Sequence, residues 1–386
     1  MRLIATARAT DGTKLARDIL VGRPDGTPLL RAGVTLTPRY RRRLIQAGIS
    51  AIYVDDEASA GITVDVPVDT QTRVFATRAV ANMQEIALKA LDRGTTLRED
   101  RFLAEAVSSL TDIVERILNH ISECGGVALA LNDLCSADAY TFQHSIDVAA
   151  IGLLVGRRHF QDHGWTDYRG EQRFDQLSSR LTTLGVGLLL HDIGKLVVPL
   201  SIINKPDKLT PEEWRIIQLH PRAGVDMLGG DGWDPLVKGI VLRHHERWNG
   251  SGYPDGQVGT KIHQMARIAA VADVYDALTS ERQYAPAEPA AAGVRAILQG
   301  SGTLYDPDVV ESFAKVVAPF PAGTEVTLTD GRKGIVARVP HENLNRPTVR
   351  VLSADGASDE VDLLARPDLQ IRGWDHTLAV SRAAVA

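Results

Sequence analysis

The chain has 386 residues, 44% of them hydrophobic and 24% charged, with 43 basic against 48 acidic side chains for a formal net charge of −5. That is enough apolar material for a main core plus one or two smaller domains. The acidic balance argues against an extended nucleic-acid or anionic-membrane surface, which a basic excess normally serves, but leaves room for a compact phosphate ligand that needs only a few local cations.

The two cysteines, Cys124 and Cys135, are too few and isolated for a disulfide framework or a thiolate metal site, and read as reduced structural thiols. The opening "MRLIATARATDG" has no long apolar stretch, and no run reaches the roughly 18 apolar residues of a membrane span, so the expectation is a cytoplasmic protein.

In chain order, residues 1–66 read as a small α/β module. Leu15 to Leu20 and the region of Leu29 look extended, with the turn "RPDG" between them. Thr37 is placed as an N-cap, Pro38 at the first helical position and Gly48 at a left-handed stop, which predicts a short helix before the strand "AIYV". The "RYRRR" run within that helix reads as a solvated face rather than an anion site. Residues 67–130 form a helical lead-in: Val74, Val80, Met83, Ile86, Ala87 and Leu91, then Leu103, Val107, Leu110, Val114 and Leu118, recur near the 3.6-residue period. Residues 131–318 stay helical in pattern and contain every cluster of potential ligands. From 319 to 372 the pattern alternates, with Asp330-Gly331 at a hairpin turn, which predicts a small β module, and 373–386 read as a frayed tail. The fold class is therefore mainly α, with a small module at each end.

Five of the eleven histidines sit in pieces that look like ligand motifs: His144 in "TFQHSIDVA", His191 in "LLLHDIGK", His220 in "QLHPRAG", and the pair His244 and His245 in "HHERWNGSGYPDG". Asp192 beside His191 and Asp273 in "ADVYDALTS" join them. Imidazoles and carboxylates without thiolates suit borderline divalent metals such as iron, manganese, zinc, cobalt or nickel better than magnesium or calcium. Seven ligands exceed the needs of one tetrahedral ion, whereas two ions bridged by one carboxylate and one hydroxide would use them. Asp192 could bridge, with Lys195 on the same helical face.

The ordered set H…HDIGK…H…HHERWNGSGYP…DVYDALTSER resembles the HD-GYP family of metal-dependent phosphohydrolases over residues 137–307. The resemblance implies a helical bundle around a two- or three-metal centre that hydrolyses the bacterial messenger cyclic di-GMP to pGpG, in some members on to GMP. Carried over by position, the metal ligands are His144, His191, Asp192, His220, His244, His245 and Asp273, with Asp192 bridging. Lys195 and Arg282 become phosphate-binding cations, Gly252, Tyr253 and Pro254 the signature loop, and Asp276 a group that orients a ligand or the substrate. Asp192 and Lys195 carry the catalytic assignment.

Three departures stand out. Members with a third metal have a glutamate where this chain has Tyr140, which predicts two divalent transition-metal ions, iron or manganese favoured and zinc, nickel or cobalt compatible. Gln283 and Ala285 in "ERQYAPA" replace a proline and a basic residue. The stretch 159–176 looks like an insertion, either a surface elaboration or a cover for the site. Alternatives to a cyclic di-GMP phosphodiesterase are a hydrolase of another cyclic dinucleotide and a low-turnover signalling scaffold. A homodimer or a signalling partner through the flanking modules is left open, as is the role of Glu246, which reads as lying outside the ligand set.

Overall fold

The computed structural model describes residues 1–19, 27–124, 140–167, 170–205, 207–230, 232–280, 287–352 and 359–374. The side chains of Tyr140, Thr141 and Trp374, together with Cys135, Arg282, Gln283 and Ala285, lie outside that description.

The N-terminal module is a three-stranded antiparallel sheet of β1 (Arg2–Ala5), β2 (Lys14–Leu15) and β3 (Ala51–Asp55), with β3 in the middle. Side chains alternate across it, so Ile4, Ile52 and Val54 face a core closed by Leu44 of α1 (Pro38–Gln46), while Leu3, Ala51 and Tyr53 face the other way. Thr37 Oγ1 accepts from Tyr40 N at 3.3 Å and Gly48 sits at φ +76°, as the capping pattern predicts. Ile19 pairs with Leu30 across the segment that contains "RPDG", whose own residues 23–26 lie outside the description.

Two long helices follow, α2 (Thr70–Asp92) and α3 (Leu103–Glu123). They are integral to the bundle: Met83, Ile86, Leu110, Ile113, Val114 and Ile117 are buried in one continuous core with the central helices. At its middle runs α4 (Tyr140–His163), a 24-residue helix buried on nearly every side from Gln143 to Gly156. Around α4 pack α5 (Leu177–Leu190), α10 (Gln264–Thr279) and α12 (Pro307–Ala314), with α9 (Pro235–Arg243) against α5 and α11 (Ala290–Gln299) against α10. The short helices α6 (Leu200–Ile203), α7 (Pro211–Ile217) and α8 (His220–Leu228) cover one end.

The segment 159–176 completes α4 and then forms a two-stranded ribbon, β4 (Trp165–Thr166) with β5 (Gln172–Arg173). Trp165 Nε1 donates to Asp175 O at 2.7 Å and Arg180 lies 3.7 Å over the indole ring. At 1.5 Å per residue this ribbon stands about 30 Å along α4 from His144, so it tucks in the far end of the helix and does not cover the histidine cluster.

The C-terminal module is a five-stranded antiparallel sheet, ordered β10 (Ile371–Trp374), β6 (Glu325–Leu328), β7 (Lys333–Arg338), β8 (Thr348–Val351), β9 (Glu360–Asp362). Asp330 and Gly331 make the β6–β7 turn, as expected. β10 extends two residues into the stretch expected to fray, because Trp374 still pairs with Val326. The two terminal modules meet. Leu3 N donates to Gly323 O at 3.1 Å, Arg2 pairs with Glu325, and Ile62 packs on Ile335 and Ala337. No helix among the described residues is long and apolar enough to cross a membrane.

Candidate metal centre and its cleft

Six separate elements deliver the predicted ligands to one point. His144 lies on the first turn of α4, His191 caps the C-terminus of α5, and Asp192 starts the 3-10 turn Ile193–Val197. His220 opens α8, His244 caps α9, and Asp273 lies in the middle of α10. The helix before "HHERW" ends at Arg243, so His244 and His245 sit on a turn that lets both rings face inward.

Asp192 stands at the middle. Its Oδ2 lies 3.4 Å from Nε2 of both His144 and His191, while Oδ1 lies 3.3 Å from His220 Nε2 and 3.8 Å from His244 Nε2. Two groups therefore form, each with ligand atoms within 4.8 Å of one another: His144, His191 and Asp192; and Asp192, His220, His244 and His245. Asp273 spans them, with Oδ1 3.2 Å from His144 Nε2 and Oδ2 3.6 Å from His245 Nδ1.

The protons on the rings are fixed by their outer partners. His191 Nδ1 meets Leu188 O at 2.7 Å, His220 Nδ1 meets Ile217 O at 2.7 Å, and His244 Nδ1 meets Val241 O at 3.0 Å. A carbonyl oxygen only accepts, so each Nδ1 carries the proton and each Nε2 presents a lone pair to the centre. The Nε2 atoms crowd together, 3.3 Å apart for His144 and His191 and 3.2 Å apart for His220 and His244. Asp192 Oδ1, fully buried, has no hydrogen-bond donor. Inward-facing lone pairs around an undonated carboxylate oxygen are the arrangement that divalent cations satisfy and that a closed hydrogen-bond network does not.

Electrostatics point the same way. Burial opposes the charge on Asp192, yet Lys195, at 2.6 Å, and the surrounding imidazoles hold its carboxyl well below the usual range. Burial likewise opposes the charge on Asp273, but His144 and His245 outweigh it and lower its pKa. Burial also opposes protonation of His144, but Asp192, Asp273 and Asp276 raise its pKa well above the ordinary value. Burial lowers His245 to about 3 and depresses His244 as well. The anions thus draw positive charge toward His144, while His244 and His245 are held neutral, the form in which an imidazole ligates.

Asp276, expected to orient a ligand or the substrate, is only 1% exposed and accepts from His144 Nδ1 at 2.6 Å. It sits behind His144, outside the cleft wall, so the contact it makes is with that imidazole and not with the cleft. Its second oxygen accepts from Ser280 Oγ at 2.8 Å.

In front of the centre lies a cleft of about 600 Å³ whose wall includes His144, Asp192, Lys195, His220, His245, Gly252, Tyr253 and Asp273. The signature loop is held against the helix end by close backbone contact: a Cβ on Gly252 would strike the backbone of His245, Glu246 and Arg247. Tyr253 stacks on His245 with ring centres 4.7 Å apart, and Pro254 follows it through a cis peptide bond, outside the cleft wall. Gly194 performs the same service on the other side, where a Cβ would collide with His220 O and the Gly224 backbone, so the Asp192 turn and α8 can touch.

The sequence reading gave no role to three side chains of consequence. Glu246 is no ligand, but it is 1% exposed and its oxygens accept from Asp255 N at 2.8 Å and Gln257 N at 3.0 Å, pinning the far side of the signature loop. Arg247 and Trp214 line the cleft. The only signal for Glu246 was its place beside the paired histidines. Trp214 follows a capping box, Thr210 to Glu213, that marks the start of α7 without marking which face meets a ligand.

Comparison with known proteins fits this geometry. Residues 171–309 match the HD domain family. Across 326 residues the chain is 30% identical to Cyclic di-GMP phosphodiesterase PA4108 of Pseudomonas aeruginosa, covering 80% of this chain and 75% of that protein. The chain belongs to the HD-GYP family. This HD-GYP chain is also 45% identical over 128 residues to the cyclic di-GMP phosphodiesterase response regulator RpfG of Xanthomonas campestris, which is 33% of this chain and 34% of that one. It is 44% identical over 168 residues to 3'3'-cGAMP-specific phosphodiesterase 1 of Vibrio cholerae, 42% of this chain and 35% of the other.

Proposed function

We propose that the chain hydrolyses one phosphodiester bond of cyclic di-GMP, giving pGpG, at a centre of two divalent cations. The observation that carries the reading is the position of Asp192, one carboxylate oxygen turned to His144 and His191 and the other to His220 and His244, on the floor of a cleft. The name borne by the Pseudomonas relative supports the substrate.

In this reading His144, His191, Asp192 and Asp273 hold one cation, and Asp192, His220, His244 and His245 the other. Bound divalent cations supply Lewis acidity toward the phosphoryl group and a nucleophile active near neutral pH. Lys195, held by Asp192 and partly exposed in the cleft, sets its ammonium against a non-bridging phosphate oxygen and stabilises the charge that builds there. Tyr253 and Gly252 close the wall beside His245 and limit water around the reacting diester. Borderline metals suit the donor set, iron or manganese first. Arg282, outside the described residues, remains a proposed second phosphate contact.

The test is turnover of cyclic di-GMP by protein loaded with manganese or with iron under anaerobic conditions, read as pGpG and GMP by chromatography. Abolition of product by the double change His191→Ala with Asp192→Ala is expected, and full activity in that variant would sink the proposal. The similarity to a 3'3'-cGAMP-specific enzyme supports a second reading, another 3'-5' cyclic dinucleotide as substrate. A panel of such dinucleotides under the same metal conditions decides between them.

A further inference from the structure

The cleft contains a cation and a flat apolar surface that the metal centre does not use. Arg247 donates through Nη1 to the carbonyls of Glu246 at 3.1 Å and His244 at 3.5 Å, and its guanidinium carbon lies 5.9 Å from the centre of the Tyr305 ring. Among the described residues no carboxylate pairs with it, and its other N–H donors are left for the cleft. Trp214 of α7 lies across the same cavity and is 46% exposed despite its apolar neighbours Val198, Ile203 and Leu209. Its ring stands edge-on to Tyr253, 6.2 Å between centres, and Tyr253 in turn stacks on His245. A ladder of rings thus leads from a ligand of the metal centre to an indole that keeps much of its surface open.

We infer that Arg247 and Trp214 seat the half of a cyclic dinucleotide that is not cleaved, Arg247 taking the second phosphodiester and Trp214 the face of a nucleobase. The inference rests on the cyclic dinucleotide reading given above. A simple diester needs only the cations and Lys195; a cyclic dinucleotide brings a second phosphate and two planar bases, which need partners of their own. A guanidinium offers paired donors that match phosphate oxygens. An indole face stacks on any base, which favours binding without choosing strongly among bases. Both side chains face the cavity from walls made by different segments, α7 and the turn after α9, so the ligand would bridge them.

The test compares full-length, metal-loaded wild type with Arg247→Gln, Arg247→Lys, Trp214→Ala and Trp214→Phe on two substrates: the cyclic dinucleotide that wild type cleaves, and bis(p-nitrophenyl) phosphate, which has one diester and no second phosphate. Arg247→Gln and Trp214→Ala are expected to raise KM for the cyclic substrate by about tenfold or more with a smaller change in kcat, and so to lower its kcat/KM relative to that of the aryl diester by about tenfold. Arg247→Lys and Trp214→Phe are expected to recover part of the loss. Equal losses on both substrates would mean that these residues only brace the loop and the centre, and would overturn the seat; so would an unchanged KM for the cyclic substrate. A wild type that cleaves the aryl diester but no cyclic dinucleotide overturns the functional reading itself, a result distinct from either.

Discussion

Asp276 shows how much depends on a single hydrogen bond behind the ligands. By accepting from His144 Nδ1 it keeps Nε2 aimed at Asp192 and adds electron density to the ring. Asp276→Asn, close in size, is expected to weaken metal binding by about 10–100-fold. Competition against a chelating indicator measures this directly, and thermal unfolding in excess chelator separates it from a folding defect. The sequence left Asp276 between ligand and substrate because residues one helical turn apart share a face, and only the burial of the side chain decides which neighbour it meets.

A second residue-scale prediction concerns His159, far from the centre. It is 2% exposed, accepts from Gln264 Nε2 at 2.8 Å and meets Ser312 Oγ at 3.2 Å; burial first, then the nearby His163, lowers its pKa to about 4. Below its unfolded pKa near 6.5 the unfolded chain takes up a proton that the folded chain refuses. Stability from this residue is therefore complete above that pH and declines by about 1.4 kcal/mol per pH unit as pH falls toward 4. Thermal melts in chelator from pH 7 to 4.5 should show a steeper decline for wild type than for His159→Gln; equal slopes would refute the assignment.

Among the elements, helix contacts do the positioning. Gly194→Ala would force the Asp192 turn away from α8, because the colliding atoms are backbone and cannot rotate aside. The expected result is loss of bound metal and of turnover, measured by elemental analysis and assay. The buried pair of Arg73 on α2 and Asp147 on α4, 2.8 Å apart, fixes the axial position of α4 one turn from His144, helped by Arg73 Nη1 donating to Gln143 Oε1 at 2.6 Å. Arg73→Met removes the cationic partner of a buried carboxylate and should cost about 3–5 kcal/mol in denaturant unfolding, whereas the double change with Asp147→Leu should cost much less.

These features divide what was legible from what was not. The cluster of candidate ligands was readable because histidines and aspartates in such number and order have few other uses, and the hairpin at Asp330-Gly331 because its turn chemistry is local. Arg73 lies in a stretch with plain helical periodicity, and nothing near it in sequence announces a partner 74 residues away. Glu246 and Arg247 sat inside the most conspicuous motif, yet their jobs depend on where a loop folds back, which spacing does not encode.

At the scale of the whole molecule, the terminal modules form a joint unit through Leu3, Gly323, Arg2, Glu325 and Ile62. Contacts between residues so far apart in the chain leave no periodic trace, so the sequence presented two separate modules. Glu325→Ala is expected to loosen both together: hydrogen exchange should quicken in β1, β3, β6 and β7 while the buried amides of α4 and α5 keep their protection. Loss confined to one module would contradict the joint unit.

The dispersal of the ligands along the chain has a further consequence, in polymer terms. His144 and His191 are 47 residues apart and His220 and His244 are 24 apart. Divalent cations held between them would act as reversible cross-links that exist only while the chain is folded, because unfolding disperses the side chains that hold them. Because such ions bind the folded chain and not the dispersed one, raising free metal to 100 times its dissociation constant should add about 2.7 kcal/mol to stability. The cell's supply of divalent metal would then set how long each molecule of this enzyme stays folded as well as how fast it works.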